Sequence, residues 1–297
     1  MALEDLSRYI YGTTRLGDPT IPFANRVAVA QEAVKLGVWI HTSDQYGDAL
    51  KVLNAAFDED RSSVPPAIFK IGWSSVAEIR DQILSQTHAL GTKSMAIGQL
   101  CLGEPLATDV VEGGPGVAGL ASLRDEGLVG RFVLEVFPWT SSTALRLMRE
   151  RKADGLIEGL IFYFNPLQRF ATNELWEEVV DRNLSVIAMR TVAGGDIHRI
   201  LENDKAPDYL RGRASAVAPI FERSGVPTWT EFAARFALSF SQVKATVGAT
   251  SRIAALHEFK TAVDVATPLP RETVDEILAL QQHWSNEQDI HAAPWSM

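Results

Sequence analysis

The sequence predicts a (β/α)8 barrel, on two observations. Short β-rich apolar runs recur from one end of the chain to the other, and segments with helical spacing separate them, which is the pattern of parallel strands joined by crossover helices. The runs number eight, and eight βα units favour a closed barrel over an open sheet.

In chain order, the expected strands are Tyr9–Thr13, Val38–Ser43, Ala67–Trp73, Met95–Leu102, Arg131–Phe137, Leu156–Phe164, Ser185–Val192 and Ala245–Thr250. Between them Asn25–Leu36, Ala49–Phe57, Ser75–Ala89, Ser142–Arg151, Asn173–Asp181 and Thr230–Phe240 return apolar residues at three and four, the spacing of a helix with one buried face. The stretch from Gly194 to Pro227, rich in Asp, Arg and Pro, breaks this rhythm and is expected to be a long βα loop at the barrel mouth, covering a ligand or serving as a plain insertion. Residues 271–285 read as a final helix, and no linker divides the chain, so residues 1–297 are expected to form one barrel domain.

Composition narrows the function classes. With 297 residues, 46% of them hydrophobic, the chain can bury a large core. A net charge of -9 disfavours nucleic acid and anionic membrane surfaces, which would repel it. One cysteine, Cys101, excludes an internal disulfide framework and fits a reducing compartment. Met1–Arg8 carries Glu4 and Asp5 without an apolar core, and no apolar run is long enough to span a bilayer. The expectation is a soluble cytoplasmic protein. His88, His198, His257, His283 and His291 show no metal-ligand spacing, so no metal is expected, and His283–His291 reads as a solvated tail.

Gly37-Val38-Trp39-Ile40-His41-Thr42-Ser43-Asp44-Gln45-Tyr46-Gly47 resembles the strand and Asp-Thr-Ala-Asp-x-Tyr-Gly signature of the aldo-keto reductases; Tyr46 then matches that family's proton-donating tyrosine and His41 stands at the catalytic aspartate. Ile68-Phe69-Lys70-Ile71-Gly72 resembles the third strand, with Lys70 at the lysine that lowers the tyrosine pKa in the family. Leu90-Gly91 through Gln99-Leu100-Cys101 aligns without gaps to the fourth, placing Cys101 at the catalytic histidine. Glu135-Val136 occupies the Ser-Asn positions that hold the nicotinamide amide, Ile161 the glutamine position and Met189 that of the stacking aromatic. Gly194 and Gly195 match the loop over the pyrophosphate, while Gly248, Thr250, Ser251 and Arg252 match the adenosine-phosphate turn.

The resemblance implies NADP(H) as cofactor and a small-molecule carbonyl substrate, on a monomer or homodimer. The four changed nicotinamide positions weigh against that cofactor, whereas the kept phosphate positions favour docking by its tail. Glu135, Arg190 and Trp73 are candidate substrate contacts; Arg190 is a candidate partner for Glu135, and Asp44 or Glu135 for Lys70. His41 reads as a proton relay or as a hydrogen-bonded strand histidine, and Cys101 as a reactive group or an inert core residue. Three functions follow: proton transfer by Tyr46 and Lys70 on a hydroxy-carbonyl or sugar-like substrate with hydride transfer impaired or absent, an NAD(P)H-dependent carbonyl reductase or sugar dehydrogenase, and a non-catalytic binding or regulatory protein.

Overall fold

Eight parallel strands close on themselves. In the computed structural model, which describes residues 3–58, 60–61, 64–73 and 75–287, they are β1 (Tyr9–Gly12), β2 (Trp39–Thr42), β3 (Ala67–Trp73), β4 (Met95–Leu102), β5 (Val129–Glu135), β6 (Ile157–Asn165), β8 (Val186–Met189) and β9 (Val243–Ala249). A two-residue strand, β7 (Gln168–Arg169), pairs antiparallel with the end of β6. The ladder runs β5-β4-β3-β2-β1-β9-β8-β6, and a β5–β6 pairing completes the circle. Helices cover the outside, so both faces of the sheet are dry; this is why the strands read as near-continuous apolar runs rather than alternating ones.

Strand ends differ from the sequence expectation where the backbone turns early. β5 stops at Glu135, and Pro138 soon afterwards opens the 3-10 turn Pro138–Thr140. β8 stops at Met189, because Arg190 and Ala193 take positive φ values of 53° and 55°.

The expected long loop from Gly194 to Pro227 is a correction: it folds into helices Ile197–Glu202 and Asp208–Ser224. Asp196 caps the first by accepting from the His198 N–H. In the second, Leu210, Ala214, Val217, Ala218 and Phe221 are buried at helical spacing. Asp196, Pro207 and Asp208 sit at the helix starts, where a carboxylate or a missing N–H is favourable, while Pro219 lies inside the second helix. Helix Arg271–Glu287 forms where a final helix was expected, and Gln281 donates to the Asn165 carbonyl at the end of β6. His291 lies outside the described residues. Among the described residues no helix is long and apolar enough to cross a membrane, and no cluster of His, Cys, Asp and Glu could hold a metal.

Candidate functional site

Side chains alternate along a strand, so Lys70 and Gly72 of β3, Gln99 and Cys101 of β4, and Val133 and Glu135 of β5 share one face of the ladder. Pairing of Gly72 with Cys101 brings the strand ends together, and only glycine fits there: a Cβ on Gly72 would lie 2.3 Å from the Cys101 carbonyl oxygen. The result is a cluster at the barrel mouth. Lys70 Nζ lies 3.3 Å from Glu135 Oε1 and 3.2 Å from Oε2, and the Cys101 thiol donates to Oε2. Glu135 is nearly sealed from water, with 3% of its side chain exposed against 15% for Lys70. An ion pair this deep survives only because each charge is matched by the other.

Burial and that carboxylate set the protonation of the neighbours. Burial pushes the Cys101 thiol and the Tyr46 phenol well above their ordinary values, and the negative charge of Glu135 adds to both. Burial works against the Lys70 ammonium, but the negative charge of Glu135 outweighs it and raises its pKa. Lys70 is therefore held as the ammonium, beside a neutral thiol and a neutral phenol.

Lys70, Cys101 and Glu135 line a cavity of about 290 Å³ whose walls are Leu102, Leu134, Phe137, Trp139 and Ala144, with Thr140 and Thr143 adding hydroxyls. Trp139 is 42% exposed and lies flat on Phe137, at 4.8 Å between centroids and 6° between planes. Tyr46 and His41 do not line this cavity.

Tyr46 sits on the turn after β2, its ring 6.1 Å from that of His41. A second turn holds it in place, since Gly17 presses so closely that a Cβ there would stand 1.8 Å from the Tyr46 carbonyl oxygen. His41 is buried, with Nε2 at 2.6 Å from Gln99 Oε1. Burial lowers its pKa below the ordinary value despite the opposing hydrogen bond. The unfolded chain thus takes up a proton first, giving stability that is complete above about pH 6.5 and lost as pH falls towards the folded-state pKa. His41→Gln is expected to flatten the fall in urea-unfolding free energy below about pH 6.5 by up to about 1.4 kcal/mol per pH unit; parallel curves for the two proteins would contradict a buried neutral imidazole.

Arg190 is not the partner of Glu135 foreseen as one option; Lys70 is. The Arg190 guanidinium instead stacks 5.5 Å from the centre of the Tyr163 ring, which lies on Phe170. The side chain of Trp73 lies outside the described residues. Val136 and Ile161 are fully buried, with the Val136 N–H donating to the Ile161 carbonyl, and Met189 is buried as well. Gly194 and Gly195 have φ values of 94° and 156°, in a turn that approaches the Arg190 guanidinium. Gly248 packs under Phe259, and Thr250, Ser251 and Arg252 lead into helix Ile253–Asp264, where Thr250 Oγ1 accepts from the Arg252 N–H.

An aldo-keto reductase from Bacillus halodurans in its holo form superposes with a TM-score of 0.71 at 21% identity, over 94% of this chain and 95% of that one. The fold is that of the aldo-keto reductases. One from Klebsiella pneumoniae in complex with NADPH gives a TM-score of 0.69 at 16% identity, over 93% and 92%. A putative aldo-keto reductase from Pseudomonas aeruginosa gives 0.62 at 17%, over 89% and 94%. No family model and no curated protein sequence matches the chain. On this aldo-keto reductase barrel, the Lys70–Glu135–Cys101 contacts come from three successive strands. Sequence reasoning missed the Phe137–Trp139 platform and Gln99 as partner of His41. The first had a signal in Phe-Pro-Trp just past a strand; the second lay two residues before Cys101, on the same strand face.

Proposed function

We propose that the protein is an enzyme that moves protons on a small polar hydroxy-carbonyl or sugar-like substrate, with no classical hydride transfer. The supporting observation is the Lys70–Glu135 pair in the wall of the 290 Å³ cavity. Removing a proton beside a carbonyl needs a base within reach of the carbon and a cation at the oxygen that becomes enolate. Glu135 serves as the base, Lys70 as the cation, and Tyr46, which stands outside the cavity wall and is kept protonated by burial and by Glu135, as the donor to a substrate oxygen that projects from the cavity. This revises the sequence expectation, in which Lys70 activates Tyr46 as the acid–base group. The flat Phe137–Trp139 pair offers an aromatic face to the C–H side of a sugar-like ring.

The nicotinamide end of NADP(H) does not fit the residues at the positions that the resemblance assigns to it. Glu135 is committed to Lys70 and Cys101, and Val136, Ile161 and Met189 bring buried side chains with no amide partner. A reductase reading rests on the other end of the molecule, where the start of helix Ile253–Asp264 presents N–H groups suited to phosphates, and on the NADPH held by the neighbour from Klebsiella pneumoniae.

Deuterium from solvent is expected to enter the α-carbon of small hydroxy-aldehydes or keto-sugars with no nucleotide added. Titration with NADPH, followed by quenching of the seven tryptophans, runs beside it. NADPH oxidation across the same panel without exchange would replace the proposal by the reductase; ligand binding with neither reaction would leave a binding protein.

A further inference from the structure

Proton transfer on a hydroxy-carbonyl leaves one member of the cluster without a task, the Cys101 thiol. We propose that Cys101, Glu135 and Lys70 form a nucleophile–base–cation triad for acyl transfer, acting on small neutral amides and esters with an apolar acyl group.

The geometry has the three parts such chemistry needs: a nucleophile hydrogen-bonded to a base, a third group that holds the base, and space beside them for the reacting carbon. The thiol donates to Glu135 Oε2, and Lys70 holds both carboxylate oxygens at 3.2 and 3.3 Å. All three side chains line the same cavity. Its walls select the substrate, because Leu102, Leu134, Phe137, Trp139 and Ala144 suit an apolar acyl chain and, among the described residues, no second cation lines it to receive a carboxylate. Burial keeps the resting thiol neutral, so the thiolate forms only as Glu135 takes its proton during attack.

In the first half-reaction the sulfur bonds to the carbonyl carbon while its proton passes to Glu135, and Lys70 faces the oxyanion. The intermediate collapses with cleavage of the C–N or C–O bond, the leaving group takes the proton from Glu135, and Cys101 carries a thioester. Water then attacks that thioester and gives a proton to Glu135; the C–S bond breaks, the thiolate recovers the proton, and a carboxylic acid leaves. No oxidant, reductant or further reactant is consumed.

The test uses 4-nitrophenyl butyrate at millimolar concentration, an acid quench and intact-protein mass spectrometry with peptide mapping. One butyryl group on Cys101 is expected, with release of nitrophenolate and then turnover. Cys101→Ala should lose the adduct, and Glu135→Gln should slow acylation by about 10²-fold. An adduct confined to other residues, no adduct on the wild-type protein, or an unchanged rate in Glu135→Gln would overturn the triad. If Glu135→Gln does not fold, the wild-type rate in deuterium oxide decides: it is expected to fall, and an equal rate in both solvents would remove Glu135 as general base. Exchange at a substrate carbon and acylation of the protein are separate readouts, so this proposal and the proton-transfer reading fail independently.

Discussion

Lys70→Met is expected to lower the free energy of unfolding by about 3–5 kcal/mol, the cost of leaving a buried carboxylate without its cation. Glu135 has 3% of its side chain exposed, and the other partner its carboxylate has is the Cys101 thiol, which carries no charge. One neutral donor cannot replace an ammonium that reaches both oxygens. The double variant Lys70→Met/Glu135→Leu should recover most of the loss, because two apolar side chains of similar volume need no partner. Urea unfolding of the wild type, both single variants and the double variant closes the cycle. A loss below about 1 kcal/mol in Lys70→Met would mean that water reaches Glu135 and that the pair behaves as a surface salt bridge.

The barrel was legible because each strand had to be apolar on both faces, a demand that spreads over the whole chain and tolerates local exceptions. The segment from Gly194 to Pro227 was not, since its proline and charge content speaks for a loop while the burial of Leu210, Val217 and Phe221 makes it helical. Tertiary packing decided that contest, and composition could not.

At the site, the resemblance to the aldo-keto reductases carried the reading up to a limit. Lys70, Cys101 and Glu135 were each singled out as positions by their match to the family's motifs, and strand pairing brings them together at the mouth. Which of them pair could not be read from the sequence: Arg190 and Lys70 were both open as cations for Glu135, and only the turn at Arg190, with φ at 53°, sends that side chain to Tyr163 instead. The direction of the pKa shifts was likewise hidden. The resemblance implies a phenol whose pKa Lys70 lowers, whereas burial and the Glu135 carboxylate raise that of Tyr46 and keep it neutral.

Tyr46→Phe is expected to slow deuterium exchange by about 10²–10⁴-fold with little loss of stability, because it removes the proton donor and keeps the ring beside His41. Gly17→Ala tests the same role from the backbone. Its new Cβ would stand 1.8 Å from the Tyr46 carbonyl oxygen, so the turn must shift, and a displacement of about 1 Å costs on the order of 10²-fold in rate. The overlap is also expected to destabilise the protein by about 1–3 kcal/mol, as for other forced close contacts. If Gly17 acts through Tyr46, adding Gly17→Ala to Tyr46→Phe lowers stability further but leaves the exchange rate almost where Tyr46→Phe set it. Multiplying rate losses would instead place the effect of Gly17 on some other group at the mouth. An exchange rate unchanged by Tyr46→Phe would leave Glu135 and Lys70 to complete the proton transfer without the phenol.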